Sequence, residues 1–234
     1  MELKDDVVVI TGAAGVLGKA AAAAFSDAGV RVALVDVNDT ALAAAYPGVD
    51  ARRFTAAANL MDAASTAKAV DAIIARFGRI DALCNIAGGF RMGPAVHETS
   101  AQDWQFMLDL NAGTLLNAVR AVVPKMLAAG RGKIVNIGSG AGQKGAAQMG
   151  AYSAAKSAVI RLTEAMAAEL REKNINVNCV LPSVLDTPQN RKDMPDVDPA
   201  KWVAPRDLAC VLVFLCSDAA RAIHGAALPV IGLS

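Results

Sequence analysis

The chain opens on four consecutive apolar residues, Val7-Val8-Val9-Ile10, that run straight into Thr11-Gly12-Ala13-Ala14-Gly15-Val16-Leu17-Gly18 and then an alanine-rich stretch. A run of this kind without polar alternation predicts a strand buried on both faces. Glycines between a strand and a helix let the backbone approach a pyrophosphate, which is favoured by the free N–H groups of the helix N-terminus. Glycines also make ordinary turns, so Gly12, Gly15 and Gly18 gain meaning only from this strand–turn–helix context. A second apolar run, Val30 to Val35, ends in Asp36, followed by Val37. An acid at the end of that strand can accept hydrogen bonds from an adenosine ribose and would repel a 2′-phosphate, so NAD(H) is expected over NADP(H). Arg31 and Arg52 are the cations expected nearest to offset that repulsion. The alternative is a turn or cap aspartate.

Strands and helices then alternate. Strands are expected at Asp50–Ala56, Ile80–Asn85, Lys133–Ser139, Ile175–Leu181 and Gly225–Ile231. Helices are expected at about Asp62–Phe77, closed by Gly78, and at about Ala101–Ala129, Tyr152–Lys173 and Asp207–Ser217. This predicts a single doubly wound α/β domain over residues 1–234, with a seven-stranded parallel sheet and helices on both faces. Ligands in such sheets sit at the carboxyl ends of the strands. Gly12–Gly18, Asp36, Asn85–Gly88, Ser139 and Pro182–Thr187 all fall there. The proline-bearing stretch 182–205 is long for a loop in a compact domain, which marks it as a candidate lid.

Tyr152 and Lys156 are four residues apart, a spacing that stacks side chains on one face of a helix. An ammonium about 4 Å from a phenol favours the phenolate by roughly 4 kcal/mol at an effective dielectric near 20. That would bring Tyr152 toward neutral acid/base chemistry. Asn111 falls in an otherwise apolar helical phase, where a satisfied core amide is the common outcome. His97 and His224 read as surface or packing residues. A net charge of +1 with no basic patch gives no sign of nucleic acid. Neither a secretory leader nor a membrane span is expected, and no metal site. Cys84, Cys179, Cys210 and Cys216 lie in apolar stretches and read as buried free thiols of a reducing cytoplasm.

Together these residues resemble the short-chain dehydrogenase/reductase family, a Rossmann-type fold. The match rests on the Thr11–Gly18 turn, Asn85-Ile86-Ala87-Gly88, Asn111, Ser139, Tyr152-x-x-x-Lys156 and Pro182 to Thr187. The resemblance implies Tyr152 as general acid/base and Lys156 as its modulator and ribose ligand. It further implies that Ser139 holds the substrate oxygen and that Asn111 keeps a water-linked relay to Lys156. For the cofactor it implies Gly12, Ala14, Gly15, Val16, Leu17, Gly18, Asp36, Val37, Asn59, Leu60, Asn85, Ala87 and Gly88, with Tyr152, Lys156, Pro182, Leu185 and Thr187 on the nicotinamide side. The expected activity is NAD(H)-dependent hydride exchange with a small carbonyl or alcohol, such as a 3-oxoacyl thioester, in a homotetramer or homodimer. Three positions depart from the family pattern: Asn59 replaces an aspartate, Ile86 an asparagine and Ser183 a glycine. The 181–195 segment and Ala87-Gly88-Gly89-Phe90 are also similar to dihydropteridine reductases, which typically lack the serine at position 139. A non-catalytic NAD-binding sensor is the remaining alternative, though it would need only the glycine turn.

Overall fold

The computed structural model describes residues 3–48 and 50–233; the outermost ends of the expected 1–234 domain and Val49 lie outside them. Seven parallel strands form one sheet: β1 (Val7–Thr11), β2 (Arg31–Asp36), β3 (Arg53–Ala57), β4 (Ala82–Asn85), β5 (Gly132–Ile137), β6 (Ile175–Pro182) and β7 (Ala227–Val230). Their order is β3-β2-β1-β4-β5-β6-β7. The order reverses between β1 and β4, and a ligand crevice opens at such a switch point.

Helices cover both faces. One apolar layer joins α1 (Val16–Asp27) and α8 (Pro205–Cys216) to the sheet through Phe25, Leu34 and Leu208, all fully buried. The other joins α3 (Ala63–Phe77), α5 (Thr114–Ala129) and α6 (Gly150–Leu170) through Ile73, Met126, Ile134 and Ile160. Each such side chain adds about 1.5–3 kcal/mol of burial free energy. Caps set several boundaries. Asp62 accepts from Ala64 and Ser65 at the start of α3, and Gly78 ends that helix at φ 79°.

Four expectations need correction. The single helix expected over 101–129 is two, α4 (Ala101–Leu108) and α5, joined by a π turn at Asp109–Gly113. By length and apolar composition alone the stretch could cross a membrane; in this fold Met107, Leu115, Val122 and Met126 are buried in the protein. A short helix, α2 (Asp39–Ala45), was not expected; Asn38 caps it by accepting from Ala41. The 182–205 stretch is not one open loop. It contains α7 (Pro188–Asp193) and a 3₁₀ turn at Pro199–Lys201. Its two ends are tied together, because Asp186 N donates to Val203 O (2.9 Å) and Val203 N to Val184 O (2.9 Å). Leu233 N also donates to Lys201 O at 2.9 Å. Finally, Cys84, Cys179 and Cys216 are buried free thiols, but Cys210 is exposed on α8. Its helix is amphipathic and position 210 falls on the solvent side of an apolar-looking run.

Candidate active site

The glycine turn is built by backbone approach. Gly12 has φ +65°, and a Cβ on Gly18 would come within 2.2 Å of Gly12 O. Only glycine at both positions allows the chain to pass this closely from β1 into α1. Ala13 N donates to Val35 O (3.1 Å) and Ala14 N to Asp36 Oδ2 (3.0 Å), while Asn38 N donates to Asp36 Oδ1 (3.2 Å). The Tyr46 hydroxyl donates to Ala13 O at 2.7 Å and pins the turn from α2's end. Burial pushes the Tyr46 phenol up to about 12. Thr11 Oγ1 accepts from Ile86 N (3.0 Å) and Ala87 N (3.1 Å), tying the turn after β4 to β1.

A cleft of about 850 Å³ runs along these strand ends. Of the residues expected around a cofactor, Gly12, Gly15, Val16, Leu17, Gly18, Asp36 and Val37 line it. So do Asn59, Leu60, Ala87, Gly88, Leu185 and Thr187. Ala14, Asn85, Pro182, Tyr152 and Lys156 do not. Ala14 contributes through its bond to Asp36, and Asn85 lies under the floor with Nδ2 donating to Asn136 Oδ1 (2.9 Å). The Asn85 Oδ1 is buried without a partner. Sequence reasoning missed Met61, Leu110, Thr114 and Gln189 on the cleft wall. Leu110 and Thr114 belong to the π turn and its exit, whose geometry leaves no periodic signal. Arg31 and Arg52 are not near Asp36, contrary to expectation. Arg31 stands at the opposite end of β2, about 16 Å away at strand rise. Both arginines bond Asp5, Arg31 through Asp5 O (2.6 Å) and Arg52 through its carboxylate (3.0 Å). Ser183 turns its hydroxyl to Ile231 O (2.9 Å), toward the C-terminal strand.

Beyond Gly88 the remaining residues converge. Asn111, buried on the π turn, accepts from Gly89 N (3.2 Å) and donates to Gly89 O (3.0 Å) and Met107 O (3.1 Å). A Cβ on Gly88 would lie 2.8 Å from Asn111 Oδ1 and 3.6 Å from Lys156 Nζ, so glycine lets these groups close around it. Tyr152 and Lys156 share one face of α6, and Ser139, just past the end of β5, lies close enough to the Tyr152 phenol to draw its pKa down. The expected electrostatics are corrected here. Burial raises the Tyr152 phenol above its ordinary value, and only Ser139 draws it back. Lys156 Nζ donates to Ile137 O (2.8 Å) and sits 5.9 Å from the Tyr152 ring centre, farther than the roughly 4 Å expected from the spacing. The lysine is itself desolvated, which pushes it down to about 8. Among the described residues no cluster of His, Cys, Asp and Glu is arranged to hold a metal. His97 is largely exposed, and His224 Nε2 lies 3.2 Å from Asn176 Nδ2.

A doubly wound parallel sheet, a glycine turn on a helix N-terminus and a phenol–lysine pair at the same strand ends define a dinucleotide-dependent oxidoreductase. The sequence matches the short chain dehydrogenase family over residues 6–198, and the chain belongs to that family. It is 39% identical to D-threitol dehydrogenase of Mycolicibacterium smegmatis over 98% of this chain and 93% of that protein. In structure it is similar to NAD+-bound xylitol dehydrogenase, with TM-score 0.90 and 27% identity over 99% of this chain and 100% of that one. Carveol dehydrogenase from Mycobacterium avium in complex with NAD superposes with TM-score 0.90 at 29% identity, covering 98% and 97%. The protein is therefore an oxidoreductase of alcohol and carbonyl groups that uses a nicotinamide cofactor.

Proposed function

We propose that the protein exchanges hydride between NAD(H), in preference to NADP(H), and a secondary alcohol or its ketone, with Tyr152, Lys156, Ser139 and Asn111 as its catalytic set. The observation that supports this reading is the closeness of Gly88, which lines the cleft running from the glycine turn, to Asn111 and Lys156, with Tyr152 on the same face of α6 and Ser139 beside its phenol. The cleft fits a dinucleotide: a backbone cradle that any Cβ would fill lies at one end, and the Asp36 carboxylate lines the wall next to it. Gly12–Gly18 and the α1 N-terminus would hold the pyrophosphate, and Asp36 the ribose hydroxyls. Asp36 lacks a neighbouring arginine from 31 or 52 to accept a 2′-phosphate. When bound, the nicotinamide supplies or accepts the hydride. Tyr152 passes a proton to the substrate oxygen on reduction and takes it on oxidation. Ser139 donates toward that oxygen and stabilises charge developing there. Lys156, poised to ionise near pH 8, keeps positive charge within reach of the phenol. Asn111 fixes Gly89 and the Gly88–Lys156 approach.

A 3-oxoacyl thioester, an aryl ketone and a polyol all offer the carbonyl or carbinol this chemistry needs. The relatives named for threitol and xylitol and the neighbour named for carveol support the alcohol class. The Ser139 contact favours it over a dihydropterin, whose conjugated imine does not need that donor. The 182–205 stretch acts as a lid over the cleft, and α4–α6 form the contact of a homotetramer or homodimer that works in the cytoplasm. Light scattering showing a monomer at micromolar concentration would refute the assembly. The activity is tested by NADH oxidation against a panel of ketones and quinonoid dihydropterin. Ser139→Ala should lower turnover on the best ketone about 10²-fold or more with little change in NADH affinity. A silent Ser139→Ala, with dihydropterin the best substrate, replaces this reading. No NADH oxidation with any compound leaves the sensor.

A further inference from the structure

The segment from Gly88 to Ala95 has no regular secondary structure, yet it is held at two points. Asn111 clamps Gly89 through both its N–H (3.2 Å) and its carbonyl (3.0 Å). Gly93 N donates to Gln148 O at 2.8 Å, just ahead of α6. Phe90, Arg91 and Met92 are strung between these ties. Phe90 meets the Tyr152 ring edge to face, with centroids 5.0 Å apart and planes at 85°, and is still 57% exposed. A pocket of about 110 Å³ opens on the Tyr152 side, lined by Met92, Met107, Met149 and Tyr152 and also by the polar residues Thr99, Asp103 and Gln148. Its charges are already matched: Arg91 pairs with Asp103 at 3.0 Å and lies over the Phe106 ring at 4.9 Å.

We propose that Phe90 is a specificity-determining residue, and that it selects alcohols and ketones whose reacting carbon carries an aromatic or alicyclic group over open-chain polyols. This rests on the oxidoreductase reading above. A substrate with its oxygen at Tyr152 must place one substituent within a bond or two of the phenol. Phe90 occupies that side with a hydrocarbon face, and methionines continue it. A flat apolar group there gains ring contact, and thioethers adapt to its outline. A polyol hydroxyl laid against the Phe90 face gives up water to a ring that offers no donor or acceptor in return. The overall exchange is alcohol plus NAD+ to ketone plus NADH plus a proton. The carbinol C–H breaks with its electron pair going to NAD+, and the hydroxyl proton leaves through Tyr152.

The test compares kcat/KM for 1-phenylethanol, D-threitol and xylitol with NAD+ in the wild type, Phe90→Leu and Phe90→Asn. The wild type should prefer 1-phenylethanol by at least about tenfold. Phe90→Leu should keep most of that ratio, and Phe90→Asn should cut it by about tenfold or more, with an unchanged NADH dissociation constant. A fluorescence-monitored melt of the NADH-loaded protein gives a readout without turnover. Acetophenone should raise its midpoint, xylitol should not, and Phe90→Asn should abolish the rise. A wild type that prefers either polyol overturns the proposal. So does a Phe90→Asn that slows all three alcohols equally, since Phe90 would then only brace Tyr152. If nothing in the panel is turned over, the oxidoreductase reading fails. The melt still decides on Phe90: equal shifts by acetophenone and xylitol refute the pocket's selectivity.

Discussion

The two edges of the sheet treat polar groups in opposite ways. At the amino ends of the strands, Asp81 is almost wholly buried, but its carboxylate accepts from Val7 N (2.9 Å) and pairs with Arg79 (2.5 Å) and Arg131 (3.0 Å). Arg131 also holds Asp6 at 2.5 Å, and Lys133 reaches Asp218 at 3.5 Å. Every one of these charges is answered by another. At the carboxyl ends Lys156 is buried against one carbonyl and Asn85 Oδ1 has no partner. One edge is settled for stability. The other keeps unfavourable groups under and beside the cleft, where perturbed groups of functional sites commonly sit. The same parallel sheet therefore separates folding from chemistry along the strand direction, roughly one strand length apart.

Four measurements would sharpen or break that separation. Tyr152→Phe should reduce kcat by about 10³-fold, some 4 kcal/mol of transition-state stabilisation. It should cost under about 1 kcal/mol of folding stability, read from urea unfolding. Asp81→Ala is the mirror experiment. It leaves Val7 N and two guanidinium groups without their acceptor, so it should destabilise the fold by about 3 kcal/mol while the folded fraction keeps wild-type KM for NADH. A lowered kcat in that variant, with stability intact, would contradict the division. Asp36→Ala should shift the NADPH-to-NADH ratio of kcat/KM at least about tenfold toward NADPH, roughly 1.4 kcal/mol, while lowering the melting midpoint by only about 2–4 °C for the lost acceptor of Ala14 N and Asn38 N. The fourth measurement concerns pH. Lys156 is held at about 8 against an ordinary 10.5, so between those values the unfolded chain carries a proton that the folded chain does not. Stability from this group must then rise with pH from about 8 to 10.5, by less than about 1.4 kcal/mol per pH unit. Lys156→Met should flatten that slope in chemical denaturation at pH 7.5 to 10; an unchanged slope would mean the lysine is solvated.

The contrast also explains what could be read from the residues alone. Apolar runs such as Val7–Ile10 and Val30–Val35 announce buried strands, and the Gly12–Gly18 turn announces where the chain must pass close to itself. The seven-stranded parallel sheet follows from those signals, but the order of its strands does not. The π turn at Asp109–Gly113 does not, because one extra residue per turn leaves the apolar spacing of 101–129 almost unchanged. Short helices were equally silent: Asp39–Ala45 is mostly alanine, and Pro188–Asp193 has no apolar face. The Tyr152–Lys156 spacing correctly placed both on one face, but spacing says nothing about where a long side chain aims. Lys156 found a carbonyl on β5, a partner 19 residues back in sequence. Phe90 read only as part of a lid-like resemblance, since nothing in its neighbours shows that Asn111 would anchor it against a ring on another helix.

The ties at the base of the 182–205 segment change its statistics as a polymer. Val184 and Asp186 bond Val203, and Leu233 bonds Lys201, so the length free to fluctuate is close to half of what the sequence offers. Chain-closure entropy grows with the logarithm of length, about 0.6 kcal/mol for each doubling. The tethered stretch thus enters any closed arrangement with about that much less disorder to lose. Arg191 and Asp186, bonded at 2.6 and 2.8 Å, restrict it further. If the segment closes over the cleft as proposed, a cover built this way would shut on weak contacts and reopen at little cost, as suits an enzyme that must release a cofactor in every cycle.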